Sequence, residues 1–430
     1  MTRMELDCHQ FRLANGLRLL VHEDPAALVV AVNVWYHVGS RNEQPGRTGF
    51  AHLFEHLMFE GSANVPPGEF DRLLEQAGGI NNGSTSPDRT NYWITIPPGG
   101  LELALFLEAD RMGGLLDALT LDRFETQRDV VRNERRESYE NRPYGLADER
   151  MLAALYPPDH PYHWPVIGRM ADLDAATFAD AEAFFTNWYG PGNASVAVAG
   201  PVRKETVLAL AEEHFGDIAA GAKPPDVRVP GVRLDADVRE TLEDAVHLPR
   251  AYLGWHSPPA FAEGDAALDV LAHVLAAGKA SRLHRDLVVE RELALDVWAH
   301  QSSGHSGSIF EAGATGRAGG SLDPIESAIR HIVKVVAERG VTAAELDNAR
   351  TAILTSFVDD LQCMGGFGGR ADRLNLYAFH TGDPDFARRD AERFARLSTD
   401  DVRQAAVNWI DRPAGVVRVV PATAAVPGAE

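Results

Sequence analysis

Short runs of apolar and β-branched residues alternate with longer helical patterns along the first half of the chain. The short runs are bounded by turn-forming pairs such as Asp24-Pro25 and Pro87-Asp88, which is typical of strands and hairpins. Strands are predicted at 16–23, 27–38, 80–86, 90–96 and 194–199, and helices at 48–60, 67–77, 101–116, 121–139, 178–188 and 204–215. The mixture predicts an α+β fold.

The second half repeats the pattern of the first. Trp255 in AYLGW follows Trp35 in VNVWY by 220 residues, and the Asn-Trp pair before the last strand recurs after 221 residues. Three such landmarks, with His273 at 217 residues from His56, predict a tandem duplication. Residues 216–231 are rich in Gly and Pro and lack periodicity, as a linker does. We therefore predict two homologous α+β domains, each a mostly antiparallel sheet with helices packed on it, at 1–216 and 232–430, joined by a linker at 217–231.

The helix predicted at 48–60 carries the chain's clearest chemistry. His52, Glu55 and His56 are spaced H-x-x-E-H, so both imidazoles share one helical face, with Cβ atoms about 5–6 Å apart. The other positions are Phe, Leu and Met, and a helix this apolar is expected to be buried. Ionisable groups buried together need a compensating charge, which a divalent metal supplies. A pair of core histidines is the alternative interpretation, but the spacing favours a metal site.

The duplication does not repeat this site. Asp269 and Ala272 stand in the second half where His52 and Glu55 stand in the first, and only His273 corresponds to His56. The first half is therefore predicted to carry the metal and the second to keep the fold alone. A third ligand is expected from the acidic segment at 127–143, where the residues themselves leave the choice open. The candidates are Glu134, Glu137 and Glu140.

Composition narrows the classes of protein to consider. The 430 residues carry a net charge of −21 with a pI near 5.2, which argues against general nucleic-acid binding. Cys8 and Cys363 are far apart, which excludes a disulfide scaffold and a thiolate zinc site. No apolar run is long enough to span a bilayer. The first residues lack the features of a secretory signal, so a cytoplasmic protein is expected, or a periplasmic one if a leader has been trimmed.

Taken together, these motifs resemble the inverted zinc peptidases of the insulinase/pitrilysin family, which includes mitochondrial processing peptidases and their bacterial homologues. The resemblance covers nearly the whole chain and rests on H-x-x-E-H, GG-x-x-N-x-x-T, V-V-x-x-E and the duplicated layout. It implies one zinc ion per chain, with His52, His56 and Glu134 as ligands and Glu55 as the general base of peptide hydrolysis. Glu134 ends the V-V-x-x-E motif.

The resemblance also implies a strand that binds substrate. In the family, the strand that corresponds to Asn82, Gly83 and Ser84 pairs with the backbone of the peptide substrate. Without the resemblance, these residues would be interpreted as an ordinary edge strand. Gly83 stands where Ala is usual. Many active members carry a second Glu two helical turns before the third ligand, and this chain has Gln127 there. Gln127 is therefore expected to hydrogen-bond near the site without binding the metal.

One departure from the family predicts a partner. Family sites use an Arg and a Tyr seven residues apart in the second half, and the matching positions here are Val288 and Leu295. In the processing-peptidase branch a homologous subunit supplies this pair, so we expect a heterodimer in which this chain bears the zinc. The alternatives are a homodimer of low activity and a non-catalytic assembly subunit.

A nucleotide-dependent enzyme is a third class, and it would need a phosphate-binding loop. The segment MGGFGGR at 364–370 fits neither G-x-G-x-x-G nor the P-loop pattern. We interpret this segment as a flexible loop.

Overall fold

A computed structural model describes residues 5–221 and 223–422, which form two compact units. Unit 1 comprises the residues up to Asn133, then Trp164–Arg228 and Thr355–Ala391. Unit 2 comprises Glu134–His163, Val229–Leu354 and the residues from Glu392 onward. Both units contain a sheet with helices packed on it, so the predicted α+β class is confirmed.

The strands in chain order are β1 (Cys8–Arg12), β2 (Arg18–Glu23), β3 (Val30–Tyr36), β4 (Ile80–Thr85), β5 (Thr90–Ile96), β6 (Ala194–Gly200), β7 (Val238–Asp244), β8 (Arg250–Ser257), β9 (Ala294–Ser302), β10 (Ser308–Gly316) and β11 (Gly415–Pro421). The helices are α1 (Phe50–Leu57), α2 (Glu69–Gln76), α3 (Leu101–Ala118), α4 (Leu121–Arg135), α5 (Ala147–Leu155), α6 (Met170–Ala175), α7 (Phe178–Trp188), α8 (Lys204–Phe215), α9 (Asp265–Ala276), α10 (Asp323–Arg339), α11 (Ala343–Asp360), α12 (Arg370–Thr381), α13 (Ala387–Ala395) and α14 (Thr399–Ala405). All five predicted strands of the first half are present, whereas β1, α5 and α6 were not predicted.

The two sheets have matching topology. In unit 1 the strand order is β1-β2-β6-β3-β5-β4, and in unit 2 it is β7-β11-β8-β10-β9. Apart from β1, each strand of unit 1 has a counterpart in unit 2, and the pairing directions agree. In both sheets one pair is parallel, β2 with β6 and β7 with β11, and the pairs that follow are antiparallel. The predicted duplication therefore extends to strand order and pairing.

Both units are discontinuous along the chain. In unit 2, α5 packs on the sheet, where Ala147, Met151 and Leu155 share a buried cluster with Tyr252 and Val417. In unit 1, the corresponding place on the sheet belongs to α12. The division between units falls inside α4 and, at the equivalent place in the second half, inside α11. The domain boundaries expected from the sequence, 1–216 and 232–430, describe the repeated halves and stay a prediction.

Helix α1 is fixed in unit 1 through its apolar face. Phe54 is fully buried and its ring stacks on Phe184 of α7, with 5.7 Å between ring centroids. From the sheet below, the Tyr92 hydroxyl donates to the Phe54 carbonyl oxygen at 3.3 Å. The helix ends at Leu57, three residues before the predicted end. The packing buries one face of α1 and leaves the face carrying His52 partly accessible.

No helix within residues 5–221 and 223–422 is long and apolar enough to cross a membrane.

Candidate metal centre

The polar face of α1 presents the three residues of the H-x-x-E-H motif together. His52, Glu55 and His56 are all half-buried, while the residues between them are buried in unit 1. The His52 and His56 rings lie 4.9 Å apart between centroids, as expected for residues one helical turn apart. The local geometry of an α-helix is therefore sufficient to bring both imidazoles to one point.

The third group at this point is Glu134, in the last turn of α4. One ligand atom from each of His52, His56 and Glu134 lies within 4.8 Å of the other two. Within the described residues, no other group of three His, Cys, Asp or Glu side chains offers such a cluster. Of the alternative carboxylates, Glu137 is exposed and Glu140 lies 3.5 Å from Arg135. The structure thus brings together the two histidines and Glu134.

Two arginines fix α4 within unit 1. The Arg128 guanidinium donates to the Ala176 carbonyl oxygen at 2.9 Å, and Arg132 forms an ion pair with Asp174 at 2.8 Å. Both partners lie in or next to α6, which the sequence did not predict. These contacts set the position of the helix that delivers Glu134.

The N-terminus of α1 is capped by a buried carboxylate that sequence reasoning missed. Glu43 is only 7% exposed, and its two oxygens accept the backbone N–H groups of Gly49 at 2.9 Å and Ala51 at 2.8 Å. Burial raises the pKa of Glu43 to about 8, although these two hydrogen bonds act in the opposite direction. Gly49 adopts a left-handed conformation with φ of 94°, which favours glycine. The start of α1, which is called the metal helix below because it bears the candidate ligands His52 and His56, is therefore fixed by side-chain and backbone contacts together.

A second carboxylate acts one residue before the helix cap. The backbone N–H and the hydroxyl of Thr48 both donate to Asp172, at 3.2 and 2.6 Å, and the Thr48 hydroxyl accepts the N–H of Arg169 at 2.9 Å. These bonds join the start of α1 to the start of α6. No periodic pattern signals them, because they link irregular segments more than 120 residues apart.

The orientation of Glu55 is set from β4. The Thr85 hydroxyl donates to the Glu55 carboxylate at 2.6 Å. A side chain at Gly83 would bring its Cβ to 3.3 Å from the Glu55 Cγ and 3.1 Å from the Tyr92 ring, so the absence of a side chain leaves room for the carboxylate. Thr85 is the last residue of GG-x-x-N-x-x-T, which was the available signal for its role.

The three residues expected to bind substrate do not share one environment. Gly83 faces Glu55, whereas the Ser84 hydroxyl donates to Asn91 at 2.6 Å on the opposite face of the sheet. Asn82 is exposed, and its side-chain oxygen accepts the N–H of Gly83 at 2.8 Å. All three lie on β4, which ends the strand order of unit 1. What they share is the backbone of an edge strand.

Gln127 lies two turns before Glu134 on α4 and is outside the ligand cluster. Its side-chain amide donates to the Glu60 carboxylate at 2.7 Å. Glu60 is itself four residues beyond His56, so this bond runs beside the candidate metal ligands and joins the segments that carry His56 and Glu134. Glu60 was not predicted, although its spacing of four from His56 was visible in the sequence.

The corresponding region of the second half lacks the H-x-x-E-H residues. Helix α9 presents Asp269 and Ala272, and the Asp269 carboxylate accepts a hydrogen bond from Gln301 at 3.3 Å. Val288 packs against the core of unit 2, and Leu295 on β9 is 47% exposed. Neither side chain can donate a hydrogen bond.

The donor set can be tested against the metals that proteins bind. Two imidazole nitrogens and one carboxylate, with a fourth position open, form the ligand set of catalytic zinc sites. Calcium and magnesium prefer oxygen ligands, which this cluster does not supply in number. The cluster of His52, His56 and Glu134 therefore fits a zinc ion.

Comparison with known proteins identifies relatives among the zinc peptidases. A family model described as insulinase (peptidase family M16) matches residues 18–160, and one described as peptidase M16 inactive domain matches residues 175–353. The zinc protease PqqE of Helicobacter pylori is 33% identical over 361 residues, covering 83% of this chain and 81% of that protein. A zinc protease of Mycobacterium tuberculosis, Rv2782c, is 29% identical over 415 residues, covering 95% of this chain and 92% of its own length.

Two solved structures share the fold. A protease from Helicobacter pylori has a TM-score of 0.88 and 30% identity, and the match covers 97% of this chain and 100% of that one. A peptidase M16 inactive domain from Pseudomonas fluorescens has a TM-score of 0.85 at 18% identity, covering 97% and 99% of the two chains. The second likeness concerns the fold alone.

Proposed function

Because the chain belongs to the insulinase family, peptidase family M16, we propose that it is a zinc-dependent peptidase whose single zinc ion is held by His52, His56 and Glu134. The observation that carries the proposal is that ligand atoms of His52, His56 and Glu134 lie within 4.8 Å of one another, and that α1, which bears the two histidines, also bears Glu55. A structural metal site would normally be closed by a fourth protein ligand, whereas three ligands leave a position for water.

In the proposed mechanism, Glu55, Thr85 and Gly83 each have a separate role. A zinc ion held by His52, His56 and Glu134 would supply Lewis-acid chemistry, making water there more acidic and the scissile carbonyl more electrophilic. Glu55 takes the proton of the attacking water and passes it to the leaving amine. The Thr85 hydroxyl holds the Glu55 carboxylate in one orientation through the 2.6 Å hydrogen bond. Gly83 leaves the space that this carboxylate occupies.

The proposed substrate is a peptide or an unfolded segment of a protein. Strand β4 is the last strand of its sheet among the described residues, so its outer backbone groups are in position to pair with an extended chain. Glu55 is hydrogen-bonded to the same strand. A peptide added to β4 would therefore run beside the proposed general base. Asn82, Gly83 and Ser84 contribute through the backbone.

The partner remains part of the proposal. Val288 and Leu295 cannot supply the polar groups that family sites use, which supports a heterodimer whose homologous subunit provides an Arg/Tyr pair. A homodimer of low activity and a non-catalytic assembly subunit are the alternatives. Mixing this chain with candidate homologous subunits and measuring peptide turnover decides between them: a heterodimer predicts a large gain, and the homodimer predicts none.

The test of the function itself is chelator-sensitive turnover. The purified chain, alone and with its partner, is assayed on a fluorogenic peptide after its zinc content has been measured. We expect one zinc per chain, turnover that stops with a chelator, and recovery when zinc is added back. Zinc-loaded protein that cuts no peptide under either condition would leave the non-catalytic assembly subunit as the better interpretation.

A further inference from the structure

Strand β4 presents two chemically different faces. On one face the Thr85 hydroxyl donates to Glu55, and a Cβ at Gly83 would point to the same carboxylate. On the other face the Ser84 hydroxyl donates to Asn91 on the neighbouring strand. Because side chains alternate along a strand, Ile80 and Asn82 share the face of Ser84. An extended peptide on this edge would likewise direct alternate side chains to the metal helix and away from it.

The face directed away from the metal helix carries exposed apolar groups at one end. Ile80 is 62% exposed, and Phe367 is 50% exposed. The Phe367 ring makes an edge contact with Trp93, with 5.7 Å between centroids. Trp93 is the cross-strand partner of Asn82, and Thr95, next on the same face of β5, is the partner of Ile80. Ile80, Trp93 and Phe367 are called the apolar subsite below.

The glycine-rich segment at 364–370 positions Phe367 against Trp93 of β5, the strand next to the edge strand β4. Gly365 lies directly on the sheet, where a Cβ would overlap the Thr95 hydroxyl. Gly366 and Gly368 have φ angles of 80° and 75°, so the chain turns on both sides of Phe367. The Gly368 N–H donates to Asp372 at 2.9 Å, which ties the loop to the first turn of α12. The glycines thus hold an aromatic side chain beside β5.

We propose that the apolar subsite binds a large apolar side chain of the peptide, at a position whose side chain points away from the metal helix. The inference rests on the proposed function and specifies its substrate class. On one face of a sheet, Cβ atoms on neighbouring strands are about 4.5–5.5 Å apart, so a side chain on a peptide paired with β4 reaches Ile80 directly. Scattered exposed apolar residues are common, but Ile80 lies on the open edge strand and Phe367 packs on the half-buried Trp93 of the neighbouring strand.

The other end of this β4 face, near Ser84, is polar, which limits where the apolar side chain of the peptide is expected to bind. Near Ser84, the Arg89 guanidinium donates to the Ser84 carbonyl and hydroxyl oxygens at 2.9 and 2.7 Å. The apolar end of this face at Ile80 and the polar end at Ser84 are therefore four residues apart along β4. A peptide in one register would place its apolar side chain at the Ile80 end, and a shift by one residue would direct it to the metal helix instead.

The experiment measures peptide binding to zinc-loaded Glu55→Gln protein by fluorescence anisotropy. A polar host peptide carries a single Phe moved one position at a time. We expect tighter binding for Phe at one position than for Ser there, by about tenfold for one well-placed apolar group. Phe367→Ala and Ile80→Ser should remove most of this preference, Phe367→Leu should retain it, and Leu28→Ala, at a site 87% exposed, should leave it unchanged.

The possible outcomes distinguish a failure of the apolar-subsite proposal from a failure of the proposed peptidase function. A wild-type chain that cuts the host peptide in a chelator-sensitive way, with no preference for Phe at any position, overturns the apolar subsite and leaves the proposed function standing. Equal losses for Phe and Ser peptides in Phe367→Ala also overturn it, because a general disturbance of the strand would have that effect. Absence of binding by zinc-loaded Glu55→Gln together with absence of turnover by wild type, with or without the partner, would overturn both proposals.

Discussion

The cap that Glu43 provides to the metal helix gives a prediction whose sign and size follow from the structure. Burial raises the pKa of Glu43 from 4.5 to about 8. A group whose pKa is higher in the folded state stabilises the fold fully below the unfolded value and loses that contribution as pH rises through the folded value. At about 1.4 kcal/mol per pKa unit, the free energy of unfolding should fall by about 3 kcal/mol between pH 5.5 and 8.5 from this residue.

Glu43→Gln isolates the effect because the amide is the neutral isostere of the protonated carboxyl. At pH 5.5 the variant should lose only about 1 kcal/mol, since one of the two backbone N–H groups still finds an acceptor. At pH 8.5 it should be more stable than wild type. Glu43→Ala leaves both N–H groups without that acceptor and should cost about 3 kcal/mol or more at pH 5.5.

The assay is urea denaturation of metal-free protein followed by tryptophan fluorescence at several pH values. The histidines and the other acids titrate in wild type and Glu43→Gln alike, so the difference between the two curves reports position 43. Parallel curves would refute the reasoning and would mean that Glu43 is an ionised cap with an ordinary or lowered pKa. Zinc content, measured at each pH on separate zinc-loaded samples of both proteins, shows whether the cap also supports the metal ligands.

Three further predictions concern the residues around the metal. Glu134→Ala should weaken zinc binding by at least about 100-fold while Glu137→Ala retains it; equal zinc content in the two variants would contradict the assignment of the third ligand. Thr85→Val should lower kcat about tenfold with KM and zinc content unchanged, since it removes a hydrogen bond to a charged group, and Thr85→Ser should restore kcat. Gln127→Glu places a second carboxylate beside Glu60, so the free energy of unfolding should fall by about 1–2 kcal/mol at pH 8 and by less at pH 5. A free energy of unfolding equal to that of wild type at both pH values would argue against the contact between residues 127 and 60.

The parts of the site that the sequence could predict are those set by local geometry. His52 and His56 meet because residues four apart on a helix share a face, and nothing beyond the helix is needed. Glu134 is different: spacing and charge alone left Glu137 and Glu140 equally open, and the family resemblance made the choice. The structure supplies a physical reason, because α4 gives way to a wider helical turn at 136–140 and the later carboxylates leave the register of the helix.

Contacts between irregular segments could not be predicted in the same way. Glu43 lies in a loop without periodicity, and its bonds to Gly49 and Ala51 depend on the path of the chain before α1. Helix α5 was not predicted, and its place in unit 2 could not have been inferred from its sequence, because an apolar stripe fits any sheet surface of the right width. The duplication, by contrast, was predicted from the recurrence of landmarks such as Trp35 and Trp255, and the matching strand orders of the two sheets agree with it.

The central claim is tested most directly by comparing the turnover of one fluorogenic peptide by zinc-loaded wild type and by zinc-loaded Glu55→Gln. The partner subunit is added where turnover requires it. Both proteins should bind one zinc per chain, because Glu55 is not among the three ligand residues. The account predicts that wild type cuts the peptide and that Glu55→Gln retains zinc while its turnover falls to background. Near-native turnover by Glu55→Gln at full zinc occupancy would contradict it.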